Sequence, residues 1–262
     1  MRRFSKAPYL IIGSFILSMG IIVSCKHDDE AIESAAIKYT RGTAVHLPGN
    51  MTTGNPAEWK FDKTHSNVMW QTAYLGAAGL LTGRFNQFGL ANVTDAKAIS
   101  YVTTGQPLPD KDWAFYENEP AKSFFSGYVQ INTSNTGEPG RDAGCNVSGM
   151  GTTAIVPGTQ NLNPQNLAKI ETTKIELDPS GPGYLVTLNL TYQGKLAAPK
   201  TISIPGYLTY IPMKRVQFGT AAGYDVFGLQ LKFQFNCRDF GITSTSVADK
   251  LEIEANANFY NK

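Results

Sequence analysis

The chain has 262 residues, with 23 Lys plus Arg against 21 Asp plus Glu, 42% hydrophobic and 11% aromatic content. The 25 Gly and 14 Pro stay well below the roughly one residue in four that marks low complexity, so most of the chain should fold. A formal charge of +2 lacks the clustered basic excess of a nucleic-acid-binding surface, and three Cys without a CxxC pair exclude a disulfide-dense scaffold and a zinc ribbon.

In chain order, the first element is a basic n-region (Arg2, Arg3, Lys6) followed by the apolar stretch Tyr9 to Val23. The stretch falls short of the about 20 residues that span hydrocarbon, so a signal peptide over 1–24 is expected; the competing reading is an uncleaved anchor. Ile22-Val23-Ser24-Cys25 resembles a bacterial lipobox, whose Cys is diacylated before cleavage. Cys25 would then be the new N-terminus and a lipid anchor, with several acyl chains holding the protein on a membrane far more firmly than one. Cleavage removes three basic residues and no acidic one, which leaves a formal charge of −1. The expected location is the cell envelope, lipid-anchored at the outer membrane on its periplasmic or outer-surface face. Residues 25–57 show no sustained period and end in Pro and Gly punctuation, as a tether would.

From 58 onward the period is two. In Phe227 to Cys237, Phe227, Leu229, Leu231, Phe233, Phe235 and Cys237 alternate with Gly228, Gln230, Lys232, Gln234 and Asn236, a set that only a strand places on one face. Leu251 to Phe259 and Tyr184 to Tyr192 alternate in the same way. Further strands are expected over Asn67 to Tyr74, Leu80 to Val93, Lys97 to Thr103, Gly127 to Thr133, Ala168 to Leu177 and Thr201 to Tyr210, with one helical turn at Pro164 to Ala168. The fold class is all-β and antiparallel, with one wet and one dry face per strand. About eight strands suffice to close a barrel; on pattern alone a β-sandwich competes.

Trp59 to Trp70 (WKFDKTHSNVMW), Gly83-Arg84-Phe85, Val129 to Thr133 with Arg141-Asp142, Leu190 to Gly194 and Phe235 to Ile242 (FNCRDFGI) follow one another in an order that resembles the YceI family. The resemblance covers about Trp59 to Lys262, the folded domain expected over 58–262. It implies a lipocalin-like antiparallel β-barrel with an apolar interior that binds an isoprenoid or similar long-chain lipid; a long inserted loop and short helical turns are expected beside it in this chain. The inward residues expected to contact such a ligand are Trp70, Tyr74, Phe85, Phe88, Phe227, Leu229, Leu231, Phe233 and Phe235. The insertion between Thr103 and Ser126, rich in Pro and aromatics, departs from the family pattern. It supports a different reading, a surface interaction lipoprotein that uses residues 105–125 on a side-chain-filled barrel.

No enzyme is expected. His65 and Ser66 are adjacent at a strand entry and point to opposite faces, and no GxSxG, HExxH or phosphate-binding loop occurs. No cofactor and no metal is expected from three His. Arg238 and Asp239 are expected to pin their turn, with an alternative headgroup contact for Arg238. Cys145 and Cys237 form a candidate disulfide pair in an oxidising compartment; the alternative is that Cys237, on the apolar face, is a free buried thiol.

Overall fold

The alternation of apolar and polar residues becomes twelve antiparallel strands in the computed structural model, which describes residues 59–74, 79–92, 112–117, 119–139, 142 and 167–262. The signal peptide, Cys25, the tether, Cys145 and the strand expected over 97–103 lie outside the described residues. The strands are β1 (Lys60–Phe61), β2 (Asn67–Tyr74), β3 (Gly79–Phe85), β4 (Phe88–Gly89), β5 (Trp113–Ala114), β6 (Phe124–Gln130), β7 (Ser134–Asn135), β8 (Leu167–Leu177), β9 (Tyr184–Tyr192), β10 (Lys200–Val216), β11 (Tyr224–Asn236) and β12 (Lys250–Tyr260). Short 3₁₀ turns form at Lys63–His65, Pro120–Lys122, Ile131–Thr133 and Cys237–Phe240, and Pro139 and Asp142 are helical.

One sheet runs β4-β6-β8-β9-β10-β11-β12-β2-β3-β7, with β1 on β12 and β5 on β6. Its two ends belong to chain segments that pair with each other. β3 meets β7 at Arg84↔Asn135 and Phe85↔Ser134, and β4 meets β6 at Phe88↔Val129 and Gly89↔Tyr128. Between them the 3₁₀ turn carries the ladder: Asn86 N donates to the Thr133 carbonyl at 3.1 Å and Gln130 N to the Gln87 carbonyl at 2.9 Å. With β3–β4 and β6–β7 each taken as one interrupted strand, eight walls close the sheet on itself. This is the lipocalin-like barrel rather than a sandwich, and closure satisfies the edges that an open sheet would expose.

Long strands bend where residues are inserted into the ladder. The register shifts between Thr172 and Lys174 in β8, which carries Ile175 back to the inside, and between Ile211 and Lys214 in β10. Three local expectations change. The strand expected over Gly127 to Thr133 ends at Gln130 because residues 131–133 form the seam turn. The helical turn expected at Pro164 to Ala168 gives way at Leu167 and Ala168 to β8, where both residues pair with β6. The strand expected over Leu80 to Val93 breaks at Asn86 and Gln87.

Inward rows form the core. Phe227, Leu229, Leu231 and Phe233 are at most 9% exposed, while Lys232, Gln234 and Asn236 between and beyond them face solvent. Removing such side chains from water is the main stabilising term, about 25 cal/mol for each Å² of apolar surface.

Candidate functional site: a divided lumen

Cross-strand pairing of β11 and β12 sets the size of the interior. Phe227 faces Phe259, Leu229 faces Ala257, Leu231 faces Ala255, Phe233 faces Ile253 and Phe235 faces Leu251. Two alanines on inward positions leave space midway along β12. Gly89, Gly127 and Ala168 on neighbouring walls add to it. The result is a cavity of about 120 Å³ bounded by β2, β3, β4, β6, β8, β9, β11 and β12. Its lining is aromatic and aliphatic, with Asn67, Ser134 and Asn256 as the polar side chains apart from the tyrosines Tyr128 and Tyr192.

Trp70 forms one wall by a specific arrangement. Its cross-strand partner is Gly83, and a Cβ on Gly83 would lie 2.5–2.7 Å from the indole. The glycine therefore lets the ring lie flat across β3, where Nε1 donates to Ser134 Oγ on β7 at 2.9 Å.

The other half of the lumen is filled. A strap over residues 112–117 enters it: Trp113 is 1% and Phe115 0% exposed. The Trp113 ring lies 4.2 Å from Phe259, and Phe115 lies 5.1 Å from Tyr210 and 5.7 Å from Tyr184. Phe227 stacks on Phe259 at 4.7 Å, and Trp59 meets its edge. Such ring pairs each contribute roughly 0.5–1.5 kcal/mol beyond area burial. The strap is tied down by β5–β6 pairing, by Tyr116 N donating to Ser123 Oγ at 2.8 Å, and by Tyr184 OH donating to the Glu117 carbonyl at 3.0 Å. Burial pushes the Tyr210 phenol up to about 12 despite the Met213 amide it accepts, and the Glu117 charge adds to the rise. Burial also raises Tyr192, at the cavity wall.

The cavity end of the barrel is closed by the turn over residues 237–242. Phe240 is fully buried against Tyr192 and Phe235, and Gly194, in the left-handed region at φ +57°, passes so close to the Phe240 carbonyl that a Cβ would collide with it. Arg238 fastens the following loop. Nε donates to Asp249 Oδ1 at 2.8 Å, Nη1 to the Ile242 and Ser244 carbonyls, and Nη2 to the Val247 carbonyl at 2.8 Å. The side chain pins its turn, as expected. Asp239 instead pairs with Lys200 across to β10. His65 is mostly exposed and bonds Asp62 through Nδ1 at 2.7 Å. Cys237 is a free, fully buried thiol whose Sγ donates to the Ala248 carbonyl at 3.4 Å, and burial pushes it up.

Of the nine residues expected to contact ligand, Trp70, Phe85, Phe88, Phe233 and Phe235 are brought together at the cavity. Phe227 is part of the aromatic packing under the strap. Leu229 and Leu231 are buried core side chains away from the cavity lining. Tyr74, which shares the parity of Trp70, runs past the barrel rim, is 41% exposed and bridges to Val247. Sequence reasoning misses Ala255 and Ala257; the signal is side-chain size, which the polarity of an inward row does not carry. It also misses Trp113 and Phe115, whose three-residue alternation with Ala114 is too short to stand out. Both rings are buried among inward aromatics. Among the described residues no group of three His, Cys, Asp or Glu is placed to hold a metal ion.

A family model described as a YceI-like domain matches residues 59–259. No curated protein matches the chain. Among solved structures, the chain is similar to BcnA of Burkholderia cenocepacia (14% identity, 76% of this chain and 99% of that one, TM-score 0.46). It is also similar to a polyisoprenoid binding domain from Saccharophagus degradans implicated in plant cell wall breakdown (13%, 77% and 97%, TM-score 0.38). A third is a mutant CJ YCEI protein with a monobromobimane guest structure (17%, 68% and 84%, TM-score 0.39).

Proposed function

The chain belongs to the YceI-like domain family, and from that premise we propose that it is a membrane-tethered binding protein that holds an isoprenoid or similar apolar lipid inside its barrel. The observation that carries the reading is the cavity: an apolar space within a closed barrel, bounded by large rings and kept open by Ala255 and Ala257. A core built only for stability would fill such a space, because empty volume costs about 24 cal/mol for each Å³.

The chemistry of the lining supports binding and offers no reaction. Its residues can exclude water and match the curvature of a tail, and the few polar groups can take one head. The energetic requirement is strict. A bilayer offers a tail about 0.8 kcal/mol for each buried CH₂, so the cavity must match that contact by contact or the lipid stays in the membrane. Acylation of Cys25 would hold the barrel beside that reservoir, which makes transfer a local step.

Extraction of protein purified without harsh detergent, followed by mass spectrometry, tests the reading. A prenyl or similar apolar lipid should be recovered from the wild type and be absent from Phe233→Asp, which places a carboxylate on the cavity wall. Repeated extracts of folded wild-type protein that contain no lipid would defeat it.

A further inference from the structure

The aromatic strap and the cavity share one lumen. Trp113 and Phe115 contact inward rings from four adjacent walls: Tyr184 on β9, Tyr210 on β10, Phe227 on β11 and Phe259 on β12. Side chains lying outside a barrel cannot reach inward residues of four walls, so the strap occupies the interior. Along β11 the same inward row continues to Phe233 and Phe235, which line the cavity. Ala257 and Ala255, opposite Leu229 and Leu231, also line the cavity, whereas Phe227 and Phe259 do not, so the strap closes the lumen at the level of that ring pair and the cavity ends there.

The remaining space is small. An engineered apolar cavity of about 150 Å³ binds benzene, so about 120 Å³ suits a short apolar group rather than a long tail. Pockets for drug-sized ligands are several times larger, roughly 300–1,000 Å³. The truncation is built in, since the strap has its own strand pairing with β6 and a hydrogen bond from the Tyr184 phenol to its backbone.

Resting on the proposed lipid-binding reading, we infer that Trp113 and Phe115 are chain-length determinants, which restrict this barrel to a short isoprenoid and exclude tails that would run its whole length. Each added isoprene unit beyond that limit finds no lumen and gains no contact.

The test is a titration of purified protein with geraniol, farnesol and geranylgeraniol, each below its aggregation concentration, in wild type and in Trp113→Leu, Phe115→Leu and the double variant. Wild type should bind the ten-carbon alcohol best and the twenty-carbon alcohol at least about tenfold more weakly, and the Leu variants should shift the optimum to the longer chains. Wild type that binds geranylgeraniol as tightly as geraniol overturns the inference while leaving lipid binding intact. Folded Leu variants with an unchanged length profile also overturn it, and if the variants do not fold, the wild-type profile alone decides. Failure of every alcohol to bind would instead defeat the lipid-binding reading itself, and this inference with it.

Discussion

Trp70 Nε1 donates to Ser134 Oγ at 2.9 Å, and both groups are buried at the cavity. The bond crosses the full width of β3 and joins β2 to β7, so it fixes one cavity wall and the barrel seam together. It depends on Gly83, whose bare Cα lies under the indole. Gly83→Ala is therefore expected to push the ring toward the cavity and cost about 1–3 kcal/mol by overpacking. Chemical denaturation and tryptophan emission would show it; an unchanged midpoint with an unchanged spectrum would contradict the assigned geometry.

The seam turns on one hydroxyl. Thr133 Oγ1 accepts from Gln87 N at 3.0 Å and donates to the Gln130 carbonyl at 2.6 Å, at 1% exposure. Thr133→Val keeps the shape and leaves a buried donor unmet, so a loss of about 1–3 kcal/mol is expected. Thr133→Ser should restore most of it. Equal loss in Val and Ser variants would point to packing rather than to the hydrogen bonds.

Two buried phenols make the fold sensitive to alkali. Tyr210 is raised to about 12 and Tyr192 is raised as well, both chiefly by burial. An unfolded chain ionises its tyrosines near pH 10, whereas the folded state keeps these two neutral. Their stabilising contribution is thus complete below about pH 10 and is lost as the pH rises toward about 12. Melting temperatures should fall across that window, and the fall should be smaller in Tyr192→Phe. A flat profile up to pH 12 would refute the burial of these phenols.

Legibility in the sequence followed the range of the interactions. β2 and β9 match their expected bounds, because a strand with one wet and one dry face writes its period into a few consecutive residues. The seam was not legible, since Thr133 acts through partners in a segment some forty-six residues away. The strap was not legible either: nothing local distinguishes an aromatic loop that folds into the barrel from one that stays outside, and only the register of β5 on β6 turns Trp113 inward. Phe227 and Phe233 lie on the same inward row, yet one packs under the strap and the other lines the cavity. Periodicity assigns the row and says nothing of where along it the space lies.

Anchoring is tested at Cys25. Cys25→Ala should move the protein from the membrane fraction to the soluble fraction and abolish incorporation of labelled fatty acid, with the barrel still folded. A variant that stays membrane-bound and is still labelled would contradict the lipobox reading of Ile22 to Cys25.

The space beside Ala255 is the proposed ligand site. Ala255→Phe places a ring in that space, opposite Leu231, and geraniol titrated into wild type and variant reads the consequence directly. Wild type should bind measurably and a variant that remains folded at least about tenfold more weakly, with stability kept or raised as the cavity fills. Undiminished binding by folded Ala255→Phe would contradict it.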